Sequence, residues 1–250
     1  MKYFVQFSYN GKAYHGWQNQ PNAITVQQVL EKAFSTLLRT DISMMGAGRT
    51  DAGVHAKQMF AHFEVNKIER DENLIYKLNS FLPNDIAVHE VFEVLPDAHA
   101  RFDAIERTYE YWVTQEKNPF YMDAGYYVKH PLDIQKMNEA AALLLETKDF
   151  ECFSKSNTEV HTYLCDVTEA HWNINGEVLI FTITANRFLR NMVRAIVGTL
   201  LDVGTGKSTV TDVKSIINSK DRTEAGYSVP AKGLYLTRII YPNTINTKHG

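Results

Sequence analysis

The chain has 250 residues, 44% of them hydrophobic, with 26 Lys and Arg against 29 Asp and Glu and a formal net charge of −3. That length supplies core for one large domain or two modest ones; no apolar run approaches the roughly 20 residues a membrane-spanning helix needs, and the start MKYFVQFSYN alternates like a strand instead of resembling a signal sequence, so a cytoplasmic protein without membrane attachment is expected. The acidic balance excludes a generally basic surface, and any nucleic-acid site must be a local patch.

Residues 2–8 read as a strand with Tyr3, Val5 and Phe7 on one face. The loop that follows, YNGKAYHGWQ over 9–18, is unusually aromatic. Its Tyr and Trp beside Lys12 and His15 suit stacking on bases as well as a loop core folded back on the sheet, and composition leaves both open. Thr25 starts a helix that carries Val26, Val29, Leu30, Ala33, Phe34, Leu37 and Leu38 at helical spacing. A strand over 42–45 leads into a glycine-rich loop, and a strand over 58–65, a helix over 72–82 and a strand over 86–94 follow. The order is βαββαβ, the split βαβ arrangement of ferredoxin-like units, with Asp51 in the connection between the second and third strands. His55 and His62 have no carboxylate or cysteine at ligand spacing and read as hydrogen-bonding or core histidines, so no metal site is expected.

Residues 96–101 read as a linker, which divides the chain into an N-terminal half, 1–97, and a C-terminal half, 98–250. In the second half, Arg107, Tyr109 and Tyr111 share one face of an alternating strand, either as an aromatic ladder or as a phenol offered to a flat substrate. A helix over 133–145, strands over 161–172 and 177–185 joined through an Asn-Gly turn signal, a long helix over 188–203, an extra helix near 212–217 and a strand over 234–240 complete it. Arg187, Arg190 and Arg194 recur at three- and four-residue steps and predict a basic stripe on that long helix, solvated or contacting phosphate. Cys152 and Cys165 lie thirteen apart, with neither metal-ligand nor redox spacing, and read as reduced thiols. The run GTGKST over 204–209 mimics the end of a P-loop, yet Leu201 stands where the motif needs glycine and a helix precedes it instead of a strand.

The stretch GAGRTDAGVHA over 46–56 sets three glycines around one carboxylate. Gly46, Gly48 and Gly53 permit positive φ and close approach of another backbone or ligand. In an extended segment Arg49 and Asp51 lean to the same side, and a neighbouring guanidinium keeps a carboxyl ionised. A surface turn with a local ion pair, a phosphate loop and a nucleophile loop all fit such a segment, although the glycine spacing is not that of a dinucleotide site.

The same eleven residues closely resemble the signature of the tRNA pseudouridine synthase A family, in which the Asp of R-T-D-A-G is catalytic. The resemblance spans nearly the whole chain: YNGKAYHGWQ near the start, N-x-x-L-P-x-D-I-A-V around Leu82, A-R-F-x-A-x-x-R-x-Y-x-Y, N-x-F-x-x-x-M-V-R-x-I-V-G, and KGLYL near the end. It implies an α+β protein in which two ferredoxin-like βαββαβ halves join into a pseudouridine synthase fold with a central cleft. It implies Asp51 as nucleophile, Arg194 as the arginine pairing with it across the cleft, Tyr109 against the target base and Leu234 as an apolar packing residue. Arg49, beside the nucleophile, is placed to fill the space a flipped base vacates, while Arg187, Arg190 and Lys12 are candidates for RNA contact. The implied substrate is uridine at positions 38 to 40 of the tRNA anticodon arm, acted on by a homodimer with no metal or organic cofactor. Two other classes stand beside this one. A catalytically inactive RNA-binding module of the same fold needs only the basic and aromatic residues, and a hydrolytic glycosidase needs a second carboxylate that neither motif supplies.

Overall fold

The computed structural model describes residues 1–68, 71–155 and 161–245 and divides the chain into two compact units, Met1–Glu106 with Tyr235–Gly250, and Arg107–Leu234. The first contains β1 (Lys2–Tyr9), α1 (Val26–Leu38), β2 (Met45–Gly46), β3 (His55–Glu64), α2 (Asp71–Phe81) and β4 (Ile86–Glu93). Its strands run β4-β1-β3 with β2 also on β3, and every one of these pairings is antiparallel. The expected βαββαβ order is therefore present, in the strand sequence 4-1-3-2.

The register Tyr3↔Phe63, Val5↔Ala61, Phe7↔Met59 brings the alternating apolar residues of β1 against those of β3. Phe34 of α1 meets Phe63 edge-on at 5.0 Å, so this is the face that the helix covers. Phe4 points the other way and is also fully buried, between Phe92 at 5.9 Å and Tyr241 at 5.2 Å. Alternation alone leaves that second apolar cover out of sight.

Thr25 caps α1 by accepting the Gln28 N–H, and Val26, Leu30, Ala33 and Phe34 form its buried stripe. The expected strand over 42–45 shrinks to the two residues of β2. Side chains of α1 take the backbone donors and acceptors that a strand would have used: Ser35 accepts the Ile42 N–H, Glu31 accepts the Met44 N–H, and Gln27 donates to the Met44 carbonyl. The segment after β4 is likewise more than a linker, since Ala98 and Ala100 are buried and Nδ1 of His62 accepts the Ala100 N–H.

The second unit contains β5 (Glu106–Thr114) from Arg107 onward, β6 (Tyr126–Tyr127), α3 (Ile134–Glu146), β7 (Val167–Asn175), β8 (Val178–Ala185), α4 (Met192–Gly204) and α5 (Val210–Ser219). The strands run β5-β8-β7, antiparallel, with β6 parallel to the end of β5. The hairpin turns one residue later than the Asn-Gly signal suggests. Asn175 pairs with Val178, so Gly176 at φ 60 is the first central residue of the turn, the position a type II′ turn reserves for glycine. Eleven of the thirteen residues of α4 are buried, including Ala195, Ile196, Val197 and Leu200. It is an interior helix.

The last strand, β9 (Leu234–Ile240), begins at the final residue of the second unit and continues in the first, where Tyr235 and Leu236 pair in parallel with His55 and Ala56 of β3. The linker over 96–101 predicts a single boundary at 97/98 with β9 in the C-terminal half, whereas the compact units change over at 106/107 and 234/235. A strand's pattern of burial does not say which sheet it joins. Among the described residues no helix is long and apolar enough to cross a membrane.

Candidate active site

Asp51 lies on the loop that joins β2 to β3, and a second loop, that over 10–17, packs against it. Backbone bonds tie the two: the Trp17 N–H donates to the Thr50 carbonyl at 3.3 Å and the Gly53 N–H to the Tyr14 carbonyl at 3.2 Å. Side chains add to them. Tyr9 and Thr50 share a hydroxyl hydrogen bond at 2.8 Å, and Nδ1 of His55 accepts the Gly11 N–H at 3.1 Å. Because that amide can only donate, the His55 ring proton resides on Nε2. The ring is 3% exposed and stacks on Tyr235 with centroids 4.6 Å apart.

The aromatic loop resolves in favour of a loop core. Trp17 is 3% exposed, stacked on Phe7 at 5.3 Å, and Tyr14 is 6% exposed with its hydroxyl donating to Oδ1 of Asp85 at 2.6 Å. Burial, and then the Asp85 carboxylate, push the Tyr14 phenol well above its ordinary value. Neither ring is available to stack on a base. Lys12 and His15 stay exposed on the same loop.

Of the three glycines singled out in the sequence, only Gly53 has a left-handed backbone, φ 78; Gly46 is instead a steric site, where a Cβ would come 2.5 Å from Nε1 of Trp17. Gly16, which the motif reading passed over, does both jobs at once: φ is 85 and a Cβ would lie 2.3 Å from the Thr50 carbonyl oxygen. These constraints fix the backbone one residue before Asp51. The Asp51 side chain itself is half-buried and Arg49 is exposed.

In the second unit, Tyr109 sits on β5 opposite Ile183, half-buried, with the edge of its ring against Phe188 at 5.1 Å. Tyr111, two residues on, is fully buried and donates its hydroxyl to the Pro230 carbonyl at 2.7 Å. Burial raises its phenol pKa strongly. The strand therefore divides the aromatic pair, one ring for the core and one at its margin. Arg107 donates to the Asn186 carbonyl at 2.8 Å.

Arg194 lies in the first turn of α4 and is held by a two-way clamp, its Nε donating to the Val229 carbonyl at 2.7 Å while the Val229 N–H donates to the Arg194 carbonyl at 3.2 Å. The predicted helical stripe of three arginines does not form. The helix begins at Met192 behind Asn191, which is left-handed at φ 69, so Arg187 and Arg190 belong to the irregular segment before it. Arg190 is exposed and its carbonyl accepts the Lys155 N–H, while Arg187 is half-buried and donates to the Thr162 carbonyl at 3.4 Å. Leu234 is buried at the start of β9.

Both cysteines are free and buried, and burial pushes the thiols of Cys152 and Cys165 up to about 12 and about 11. Among the described residues no group of three or more His, Cys, Asp and Glu is placed to hold a metal ion.

Comparison with known proteins adds an independent line. The family model described as tRNA pseudouridine synthase matches residues 6–103 and 140–242. Proteins named tRNA pseudouridine synthase A from Bacteroides fragilis and Porphyromonas gingivalis are 51% and 50% identical over 246 and 248 residues, covering 98% of this chain and 98% of each relative. One of the same name from a Thermoanaerobacter species is 42% identical over 239 residues, 95% of this chain and 98% of its own length. The matched span takes in the Asp51 loop, the β7-β8 hairpin, α4 and β9, and with this agreement over both compact units the chain belongs to the tRNA pseudouridine synthase family of isomerases.

Proposed function

We propose that the protein converts uridine to pseudouridine at positions 38 to 40 of the tRNA anticodon stem-loop, with Asp51 as the nucleophile. The observation that carries this is the half-buried Asp51 carboxylate on a loop whose backbone is bonded to a second loop on either side of it, at Thr50 and at Gly53. A group held in this way keeps its aim while the substrate moves, which favours catalysis by orientation.

The reaction breaks the bond from N1 of uracil to C1′ of ribose, turns the detached base and joins C5 to C1′. The hydrogen on C5 leaves and N1 gains one, so product and substrate are isomers and no redox partner or cofactor is needed. Asp51 supplies the anionic group, Arg194 the cation that pairs with it and orients it, and Tyr109 the phenol set against the ring. The clamp from Val229 supports the role of Arg194, because it fixes the orientation of the guanidinium through Nε. Leu234, buried at the start of β9, is the apolar packing residue. The target base must leave its stack, at a cost of a few kcal/mol, and Arg49 is the side chain assigned to the vacated space. Exposed Arg190 and Lys12, with Arg187, serve as phosphate contacts. The active form is a homodimer working in the cytoplasm.

The test is incubation of the parent protein and Asp51→Asn with unmodified tRNA, followed by derivatisation and mass spectrometry to locate pseudouridine. Product at 38 to 40 with the parent and none with the variant is expected. Equal product from both removes Asp51 from the chemistry, and tight binding without product from either makes the chain an inactive RNA-binding module.

A further inference from the structure

A groove of about 450 Å3 opens on the first unit where the ends of four strands meet, at Ser8 in β1 and Asn10 just after it, His55 to Lys57 in β3, Asn84 to His89 around β4, and Tyr235 in β9. The pairings say which side of the sheet it occupies. Tyr9 and Ala56 are cross-strand partners and both are buried on the side of Phe7 and Trp17, so Ser8, His55 and Lys57 look the other way, with Ala87 opposite Ser8 and Tyr235 opposite His55. The groove thus lies on the face turned away from α1, at the end of the sheet where the chain has just left the Asp51 loop.

Its chemistry is that of a sugar-phosphate receptor. Lys57 is exposed and holds its ammonium 5.5 Å from the centre of the Tyr235 ring, over an aromatic face that favours a cation there. Exposed Asn10, Asn84 and His89 add hydrogen-bonding groups, and Nε2 of His89 lies 2.7 Å from the Ser8 hydroxyl. The carboxylate among the lining residues, Asp85, accepts the Tyr14 hydroxyl and is thereby tied to the loop behind it. Stacking of a base is not on offer, because Tyr235 is 8% and His55 3% exposed. What the groove presents is the Lys57 ammonium, the Asp85 carboxylate bonded to Tyr14, and a set of amide and hydroxyl groups, so that its Lys57 end suits a phosphate, its polar groups suit ribose, and it carries little information about base identity.

We propose that this groove is a ribose-phosphate subsite for the RNA strand adjoining the isomerised uridine, with Lys57 as its phosphate ligand. It holds the backbone while the base is extruded, and it answers the difficulty of an acidic chain binding RNA by placing one cation where the strand passes the catalytic loop. This rests on the reading of the chain as a tRNA uridine isomerase.

The experiment measures the Kd for unmodified tRNA over a range of salt concentrations, together with KM and kcat, for the parent, Lys57→Ala, Lys57→Arg and a charge-matched control on α1, Lys32→Ala. Loss of one phosphate contact predicts a Kd and KM for Lys57→Ala raised about 5- to 10-fold, with the slope of log Kd against log salt reduced by about 0.7 to 0.9. The kcat falls less than twofold, Lys57→Arg restores binding, and tRNAs of different flanking sequence show the same effect. Unchanged Kd and slope, a change no larger than that of Lys32→Ala, or a loss confined to kcat overturns the proposal. Because binding is read without turnover, failure of the parent to make pseudouridine refutes the isomerase reading separately, and the Kd comparison still decides the groove.

Discussion

At Gly16 two separate demands fall on one residue, a φ of 85 and a carbonyl oxygen, that of Thr50, 2.3 Å from where a Cβ would stand. Gly16→Ala meets both, so we expect a loss on the order of 2 kcal/mol, seen as a melting temperature lower by about 4 to 8 °C. Pseudouridine formation should fall with it, since the displaced carbonyl belongs to the residue before Asp51. Gly48 offers the contrast: no atom lies within 4 Å of its would-be Cβ and its φ is outside the left-handed region. Gly48→Ala should therefore melt within about 2 °C of the parent, and a large drop there would show that loop sterics have been misjudged. In the sequence the glycines of the motif look alike, and Gly16 looks like part of an aromatic loop. What separates them is which backbone comes near in space. The pairing of Tyr14 with Asp85, 71 residues apart, is equally invisible in the chain order.

The elements show where local pattern suffices and where it fails. Helix α1 was readable from the Thr25 cap and its apolar spacing, because it is decided by residues within one or two turns. The start of α4 was not, since the apolar periodicity of 188–203 runs on through a break made by the Asn191 backbone. Asn191 adopts φ 69 and donates from Nδ2 to the Ser228 hydroxyl at 2.6 Å, so both its backbone and its amide tie the helix start to the segment that clamps Arg194. Asn191→Gly keeps the backbone and loses the amide; Asn191→Ala loses both. The expected order of thermal stability is parent, then Gly, then Ala, with the Ala variant lower than Gly by about 1 kcal/mol, the cost of a left-handed residue bearing a Cβ. Equal melting of the two variants would mean that the helix start has relaxed to an ordinary backbone.

For the molecule as a whole, the order of strands and helices read along the sequence carried the α+β class and the doubled βαββαβ order, while the passage of the chain from Tyr235 onward into the first unit needed the strand pairing itself. The same first unit holds the feature that should set the acid limit of the protein. His62 of β3 and His99 meet edge-on at 4.6 Å, and Nδ1 of His62 accepts the Ala100 N–H, a bond available only while that nitrogen is unprotonated. Burial, followed by the nearby His99 and Lys2, brings the His62 pKa down to about 4, against partial opposition from Glu64 and Asp103. His99 is lowered too, chiefly by burial, with Asp103 opposing and Lys2 and Arg101 assisting. Between the unfolded value near 6.5 and the folded value near 4, the unfolded chain binds a proton at His62 that the folded chain does not. Stability from this site is thus complete above about pH 6.5 and is lost as the pH falls toward 4. His62→Gln keeps an acceptor for the Ala100 amide and removes the titration. Between pH 7 and pH 5 the parent should lose more melting temperature than the variant, so that their curves converge on acidification. Parallel curves would place the acid sensitivity elsewhere, and curves that diverge would mean that His62 is stabilised as the cation.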